Sequence, residues 1–172
     1  MPPALAVYSV RYEGYGPGDT AVVVDCRTGD RERIGAQVRC VFSSHGGRLG
    51  ATGSVAYLFK EVGLLEYPPG IRSESLAGSA WEAGAEDVVL SRTGSVQVLT
   101  DPVELQSVRS SLERAGFSAA HSGVTYRAAA MVPLVGAAAT QMRRLLEALR
   151  GLDDVQSIYT NAEVAGEVLA TV

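Results

Sequence analysis

With 172 residues and a formal net charge of −4, the chain can hold one domain or two small ones, and it does not belong to the strongly basic proteins that coat nucleic acids. A hydrophobic fraction of 47% and a charged fraction of 20% exclude a disordered chain. Two cysteines and two histidines are too few for a disulfide framework or for most zinc sites. No apolar run reaches the roughly 18 residues that span a bilayer, so we expect a cytoplasmic protein with no membrane partner.

The first part of the chain predicts strands around a single helix. Asp30 is a helix N-cap, and Ile34, Val38 and Phe42 fall on one face of the helix that follows. The glycine-rich run at 14–19 is typical of a turn and lacks the spacing of a phosphate-binding loop. The predicted elements are strands at 7–10, 21–26, 55–59 and 63–67 and a helix at 31–44.

The middle part, after Pro68-Pro69-Gly70, predicts a second small domain. Asp101 and Pro102 form a helix start, with the cap followed by proline at the first helical position. The predicted elements are a helix at 74–83, strands at 87–90 and 95–99, a helix from 102 towards Gly116, and a strand at 123–129. With 64–67 as the opening strand, the order is β-α-β-β-α-β, which is the ferredoxin-like pattern.

The last part starts at Met131-Val132-Pro133 and predicts a helix to Arg150, a strand at 155–159 and a short final helix at 162–169. This helix and strand need other elements to pack against and to pair with, and the first part of the chain contains such strands. We therefore expect an α+β protein of two layered domains with antiparallel sheets. One domain would be discontinuous, 1–67 plus 131–172, and the ferredoxin-like segment 68–130 would be inserted into it.

One window of the sequence has an excess of positive charge, and it is the candidate functional site. Its cations are Arg27, Arg31, Arg33, Arg39 and Arg48. Arg31 and Arg33 occupy the first turn of the predicted helix, where the helix dipole disfavours cations. Either they belong to a solvated helix face and pair with Asp30 and Glu32, or they bind an external phosphate.

The other motifs point weakly to chemistry. Tyr8, Tyr12 and Tyr15 lie on or just after the first predicted strand, either as ordinary packing or as rings that stack on bases. Ser43-Ser44-His45 are sequence neighbours on a helix end and do not face one another, and no G-x-S-x-G motif is present. Cys26, inside an apolar strand, is expected to be a buried and inert thiol. An enzyme is not expected.

Several motifs in a fixed order resemble the YebC/PmpR family over nearly the whole chain. They are Arg11-Tyr12-Glu13-Gly14-Tyr15-Gly16-Pro17-Gly18, Asp30-Arg31-Glu32-Arg33, Gly46-Gly47, Gly53-Ser54-Val55-Ala56-Tyr57-Leu58-Phe59, Glu82-Ala83-Gly84-Ala85-Glu86-Asp87-Val88 and Leu152-Asp153-Asp154-Val155-Gln156. The resemblance implies a cytoplasmic bacterial regulator that binds promoter DNA or acts at the ribosome. It also implies a discontinuous second domain with an inserted third, no cofactor and no catalytic residues.

The family's basic N-terminal helical domain has no counterpart in this sequence, and two hypotheses follow. In the first, the chain binds DNA or ribosomal RNA through Arg31, Arg33, Arg39, Arg48, Arg27 and Tyr15. In the second, it is a protein-interaction module that pairs with itself or with a full-length relative. A third hypothesis is a small-molecule enzyme that works in a cleft between the domains.

Overall fold

The computed structural model describes residues 5–169, and their α+β fold class is the predicted one. Contacts divide these residues into two compact units: 5–59 with 127–169, and Lys60–Tyr126. None of the helices described is long and apolar enough to cross a bilayer. The elements, in chain order, are β1 (Tyr8–Gly16), β2 (Thr20–Thr28), α1 (Arg31–Ser44), β3 (Arg48–Leu49), β4 (Phe59–Tyr67), α2 (Ser73–Ala83), β5 (Asp87–Leu90), β6 (Val96–Thr100), α3 (Leu105–Arg114), β7 (His121–Ala128), β8 (Val132–Leu134), α4 (Gly136–Arg150), β9 (Val155–Thr160), β10 (Ala162–Val164) and β11 (Glu167–Val168).

The first unit is built on a sheet with the strand order β3-β1-β2-β9. Helices α1 and α4 pack on one face of this sheet, which we call the helix face. Its core holds side chains from both helices and from β2 and β9: Val22, Val24, Ile34, Val38, Phe42, Met142, Leu145, Leu146, Leu149 and Ile158. On the opposite face, which we call the loop face, Ala21 and Val23 pack against Val55 of the segment between β3 and β4.

Helix α1 has the predicted bounds because local signals define both of its ends. The Asp30 carboxylate accepts a hydrogen bond from the Arg33 backbone N–H at 3.0 Å, which caps the first turn. Ile34, Val38 and Phe42 are fully buried. The chain leaves the helix at His45, and Gly46 follows in the left-handed region with a φ of +74°.

The second unit has the predicted element order β-α-β-β-α-β, and its sheet order is β5-β6-β4-β7. This order is compatible with a ferredoxin-like domain, in which each helix connects strands that are not neighbours. The core lies between the sheet and the two helices and includes Leu65, Tyr67, Leu76, Val98, Val108 and Leu112. The unit begins at Lys60 rather than at the expected residue 68, because β4 pairs along Gly63–Tyr67 with β6 of the same unit. Its other end lies at Tyr126 rather than at 130.

The predicted turn at 14–19 is partly wrong, because β1 continues through Gly16 and the chain turns only at Pro17–Asp19. A Cβ atom on Gly14 would lie 2.6 Å from the Arg48 carbonyl oxygen, and a Cβ atom on Gly16 would lie 2.8 Å from the Met142 sulfur. These glycines therefore let β3 and α4 approach the strand closely.

Two further predicted elements are wrong. Residues 162–169 form the β10–β11 hairpin instead of a helix, because Ala165 and Gly166 both have positive φ and form a two-residue turn. Strand β10 also pairs in parallel with β8, which lies where the start of the preceding helix was expected. The predicted strand at 55–59 is a single 3-10 turn, Ala56–Leu58, that leads into β4.

Candidate nucleic-acid interface

Two of the predicted arginines lie on the flank of α1 that faces β1. Arg31 and Arg39 are eight residues apart, so they follow one side of the helix with Gly35 between them. The Arg31 guanidinium carbon lies 4.1 Å above the Tyr8 ring, and a Cβ atom on Gly35 would lie 3.2 Å from the Tyr12 hydroxyl oxygen. Burial raises the pKa of Tyr12, while the charges of Arg31 and Arg39 oppose this shift. We call Tyr8, Tyr12, Arg31 and Arg39 the Tyr–Arg flank.

The Arg33 side chain points to the other flank of α1, where it forms an ion pair within the protein. Its guanidinium donates a hydrogen bond to the Asp154 carboxylate at 3.0 Å. The Thr28 hydroxyl donates to the same carboxylate oxygen at 2.8 Å. The Thr28 hydrogen bond, supported by Arg33, holds the pKa of Asp154 below its ordinary value despite some burial. Asp154 therefore links the start of β9 to the start of α1.

Arg48 lies beyond the opposite end of α1 and stacks on Tyr15. The guanidinium carbon is 4.8 Å from the centroid of the Tyr15 ring, and the two residues are cross-strand partners in β1 and β3. Asp19 is 4.0 Å from the guanidinium, and both side chains are largely exposed, so this ion pair is weak. The 14 residues of α1 span about 20 Å, so Arg48 and Arg31 are far apart.

Arg27 lies on the loop face of the sheet. It follows Cys26, whose side chain belongs to the core beneath α1, and successive side chains of a strand point to opposite faces. The six predicted residues therefore do not form one patch. Arg31 and Arg39 share the Tyr–Arg flank, Arg33 is paired with Asp154, and Arg48, Tyr15 and Arg27 lie elsewhere. Among the side chains that the structure describes, no carboxylate is within 4.0 Å of the guanidinium groups of Arg27, Arg31 or Arg39.

Glu13 is an important residue that the sequence analysis did not single out. Its side chain is only 3% exposed, and its carboxylate accepts hydrogen bonds from the backbone N–H groups of Gly53 at 2.6 Å, Val55 at 3.1 Å and Ala56 at 2.7 Å. Burial alone would raise the pKa of Glu13, but these three donors outweigh it and lower the pKa. Alternation along β1 places Glu13 with Tyr15, on the loop face, and this was the available signal.

The lowered pKa values of Glu13 and Asp154 predict a loss of stability in acid. Each carboxylate stabilises the fold fully above its unfolded pKa of about 4, and this contribution is lost as the pH falls through the lower folded pKa. We expect the free energy of unfolding, measured by urea denaturation, to fall below about pH 4. The double variant E13Q/D154N should show a flatter profile below about pH 4. An equal slope for both proteins would contradict this assignment.

The remaining candidates from the sequence are the thiol of Cys26 and the possible metal ligands. Cys26 is buried, and burial raises the pKa of its thiol to about 11, which agrees with the expected inert thiol. The part of the chain that the structure describes contains no group of three or more His, Cys, Asp or Glu side chains suited to a metal ion. Arginine and tyrosine side chains are thus the notable surface chemistry of the first unit.

The fold and its surface define a two-unit α+β protein in which one unit interrupts the sequence of the other. A family model described as the TACO1/YebC second and third domain matches residues 7–162. The chain belongs to this family, and the resemblance inferred from the sequence motifs is confirmed.

Relatives and a solved structure agree with this assignment. A probable transcriptional regulatory protein of Halorhodospira halophila is 46% identical over 95% of this chain and 66% of its own length. Another of that name, from Nitrosomonas europaea, is 50% identical over 89% of this chain and 64% of its own. The chain thus spans about two thirds of the length of these curated relatives. A conserved hypothetical protein of Aquifex aeolicus has a crystal structure that covers 99% of this chain and 71% of its own, with 37% identity and a TM-score of 0.86.

Proposed function

We propose that the chain is a YebC-like, non-enzymatic regulator of gene expression that acts in the cytoplasm by binding DNA or ribosomal RNA. Its family membership supports the proposal, as do the names of its relatives as probable transcriptional regulatory proteins. The proposed contacts are the predicted ones: Arg27, Arg31, Arg33, Arg39, Arg48 and Tyr15.

The Tyr–Arg flank is the observation that carries the proposal. Arg31 and Arg39 place two cations on one side of α1, and no carboxylate whose side chain the structure describes lies within ion-pair distance of either guanidinium. Tyr8 and Tyr12 of β1 add aromatic rings beside them. Guanidinium groups bind phosphates in a fork geometry, and tyrosine rings stack on bases. Arg33 contributes less, because an external phosphate has to compete with Asp154 for it.

The test removes the two unpaired cations of the flank. We expect R31A/R39A to bind nucleic acid more weakly and to reduce the slope of log K against log salt by up to about two phosphate contacts. Binding is measured by gel shift with duplex DNA and by pelleting with ribosomes, each at several salt concentrations. The two assays separate a DNA target from a ribosomal one.

The matched control is R72A/R114A, which removes two exposed arginines from the second unit and changes the net charge equally. This control should leave the affinity and the salt slope close to those of the unchanged protein. Equal losses in the two double variants would show a general charge effect and would remove the Tyr–Arg flank from the proposal.

A second candidate function, a protein-interaction module, is favoured by the surface of the second unit. Residues 60–126 carry nine carboxylates against five lysine and arginine side chains, and this excess of negative charge disfavours contact with phosphates. Trp81 of α2 and Leu90 of β5 are 51% and 61% exposed. Light scattering tests self-association, and a pull-down tests binding to a full-length relative. A monomer mass with no captured relative would count against this function.

A further inference from the structure

We propose that Tyr57, together with the Tyr15–Arg48 stack, forms a second nucleic-acid site on the loop face, which stacks on unpaired bases of single-stranded RNA. This inference rests on the proposed function, because it names the form of nucleic acid that the chain would bind. It concerns a different surface from the Tyr–Arg flank, since the two lie on opposite faces of the first unit's sheet.

Tyr57 is a large aromatic side chain that is 77% exposed although the backbone around it is fixed. It occupies the middle of the 3-10 turn Ala56–Leu58. The residue before this turn, Val55, is fully buried, and Leu58 and Phe59 pack against the same small core as Val55. An exposed ring on an ordered turn loses little conformational freedom when it binds, so it suits recognition better than a ring on a mobile chain.

The Glu13 carboxylate holds this turn in place from beneath. Its three hydrogen bonds go to Gly53, Val55 and Ala56, the residues that immediately precede Tyr57. Three charge-assisted hydrogen bonds to one buried carboxylate fix the position of this segment. Glu13 is thus a positioning residue for Tyr57 and does not itself contact the bound molecule.

Tyr15 and Arg48 lie on the same face as the turn. The Tyr15 hydroxyl donates to the Ser54 carbonyl oxygen at 3.4 Å. Ser54 precedes Tyr57 by three residues, so Tyr15 contacts the segment that carries Tyr57. The Arg48 guanidinium stacks on the Tyr15 ring and keeps 72% of its side chain exposed. The nearby Ala51, Thr52 and Gly53 are small and exposed, so they allow a polynucleotide backbone to approach.

This combination fits unpaired nucleobases better than it fits a duplex. The exposed Tyr57 ring and the Arg48 guanidinium, which stacks on the half-buried Tyr15, offer flat surfaces and a positive charge, which match the π-face of a base and its phosphate. The bases of a duplex are already stacked on one another, whereas a single strand leaves their faces available. Of the nearby carboxylates, Glu13 binds the turn and Asp25 is paired with Arg11 at 2.7 Å, whereas Asp19 is exposed and lies 4.0 Å from the Arg48 guanidinium, so a bound phosphate has to displace this weak ion pair.

The experiment measures fluorescence anisotropy of a fluorescein-labelled oligouridine RNA of about twelve nucleotides and of a duplex DNA of equal length, using the full chain. We expect Y57A to weaken RNA binding about tenfold, with little effect on duplex binding. Y57F should bind like the unchanged protein, because stacking needs the ring and not the hydroxyl. The salt slope should stay the same in Y57A, because a ring releases no counterions.

W81A is the matched control, since it removes an exposed aromatic ring from the second unit. It should bind RNA like the unchanged protein, and thermal unfolding should show that Y57A and W81A both remain folded. RNA affinity that is equal in Y57A and W81A would overturn the Tyr57 site, even if R31A/R39A weakens binding as proposed above. An unchanged protein that binds neither RNA nor DNA would overturn both the proposed function and this site.

Discussion

The variant E13Q is expected to unfold with a free energy about 3 kcal/mol lower than the unchanged protein. The Glu13 carboxylate accepts three backbone hydrogen bonds in a buried site, and a glutamine amide offers one acceptor oxygen and a competing NH₂ donor. At least one backbone N–H group would lose its partner away from water, which is the costly outcome for a buried donor.

The measurement is urea denaturation at neutral pH, with E147Q as the control. Glu147 is exposed on α4, so its replacement by glutamine should change the unfolding free energy by less than about 0.5 kcal/mol. The two variants carry the same chemical change, and only the burial and the hydrogen bonds differ. A loss below about 1 kcal/mol in E13Q would mean that the loop is held mainly by the packing of Val55.

The variant G14A is expected to lower the free energy of unfolding by about 2–3 kcal/mol, close to the upper end for overpacked sites. The added methyl group would lie 2.6 Å from the Arg48 carbonyl oxygen and 2.9 Å from the Phe42 ring. The carbonyl belongs to the backbone of β3, so relief requires β3 to move away from β1. This motion would also disturb the stacking of Arg48 on Tyr15.

The same substitution at Gly78 should have the opposite sign. Gly78 lies inside α2, and a Cβ atom there would meet nothing within 4 Å. Alanine has the higher helix propensity, so G78A should stabilise the protein by about 0.5–1 kcal/mol. Thermal and urea unfolding of both variants check the pair, and a stabilised G14A would show that the close approach of β3 is not required.

The sequence predicts the elements whose causes are local. Helix α1 is correct at both ends, since its cap and the spacing of Ile34, Val38 and Phe42 lie inside the segment itself. The hairpin at 162–169 is missed because β10 is defined by its pairing with β8, about 30 residues earlier in the chain. Gly14 and Gly16 are read as turn residues because their actual partners, β3 and α4, come later in the sequence.

The candidate site shows the same division between local and distant causes. The distribution of charge along the sequence identifies the arginine-rich window. The separation of Arg31, Arg33 and Arg48 depends on helix geometry and on where β3 pairs with β1. The pairing of Arg33 with Asp154 joins residues 121 positions apart, which no spacing rule reveals. The sequence analysis missed Glu13 for a different reason, because charged residues are normally exposed and its burial was not expected.

The pairing of β2 with β9 has a consequence for how the chain matures during its synthesis. Val22 lies opposite Thr160 in the central sheet of the first unit, so that sheet stays incomplete until the ribosome has released the strand near residue 160. Lys60–Tyr126 is continuous, and its four strands and two helices find their partners within a much shorter stretch. The second unit can therefore fold before β9 has been synthesised. During that interval the edge of β2 that later pairs with β9 has no hydrogen-bonding partner.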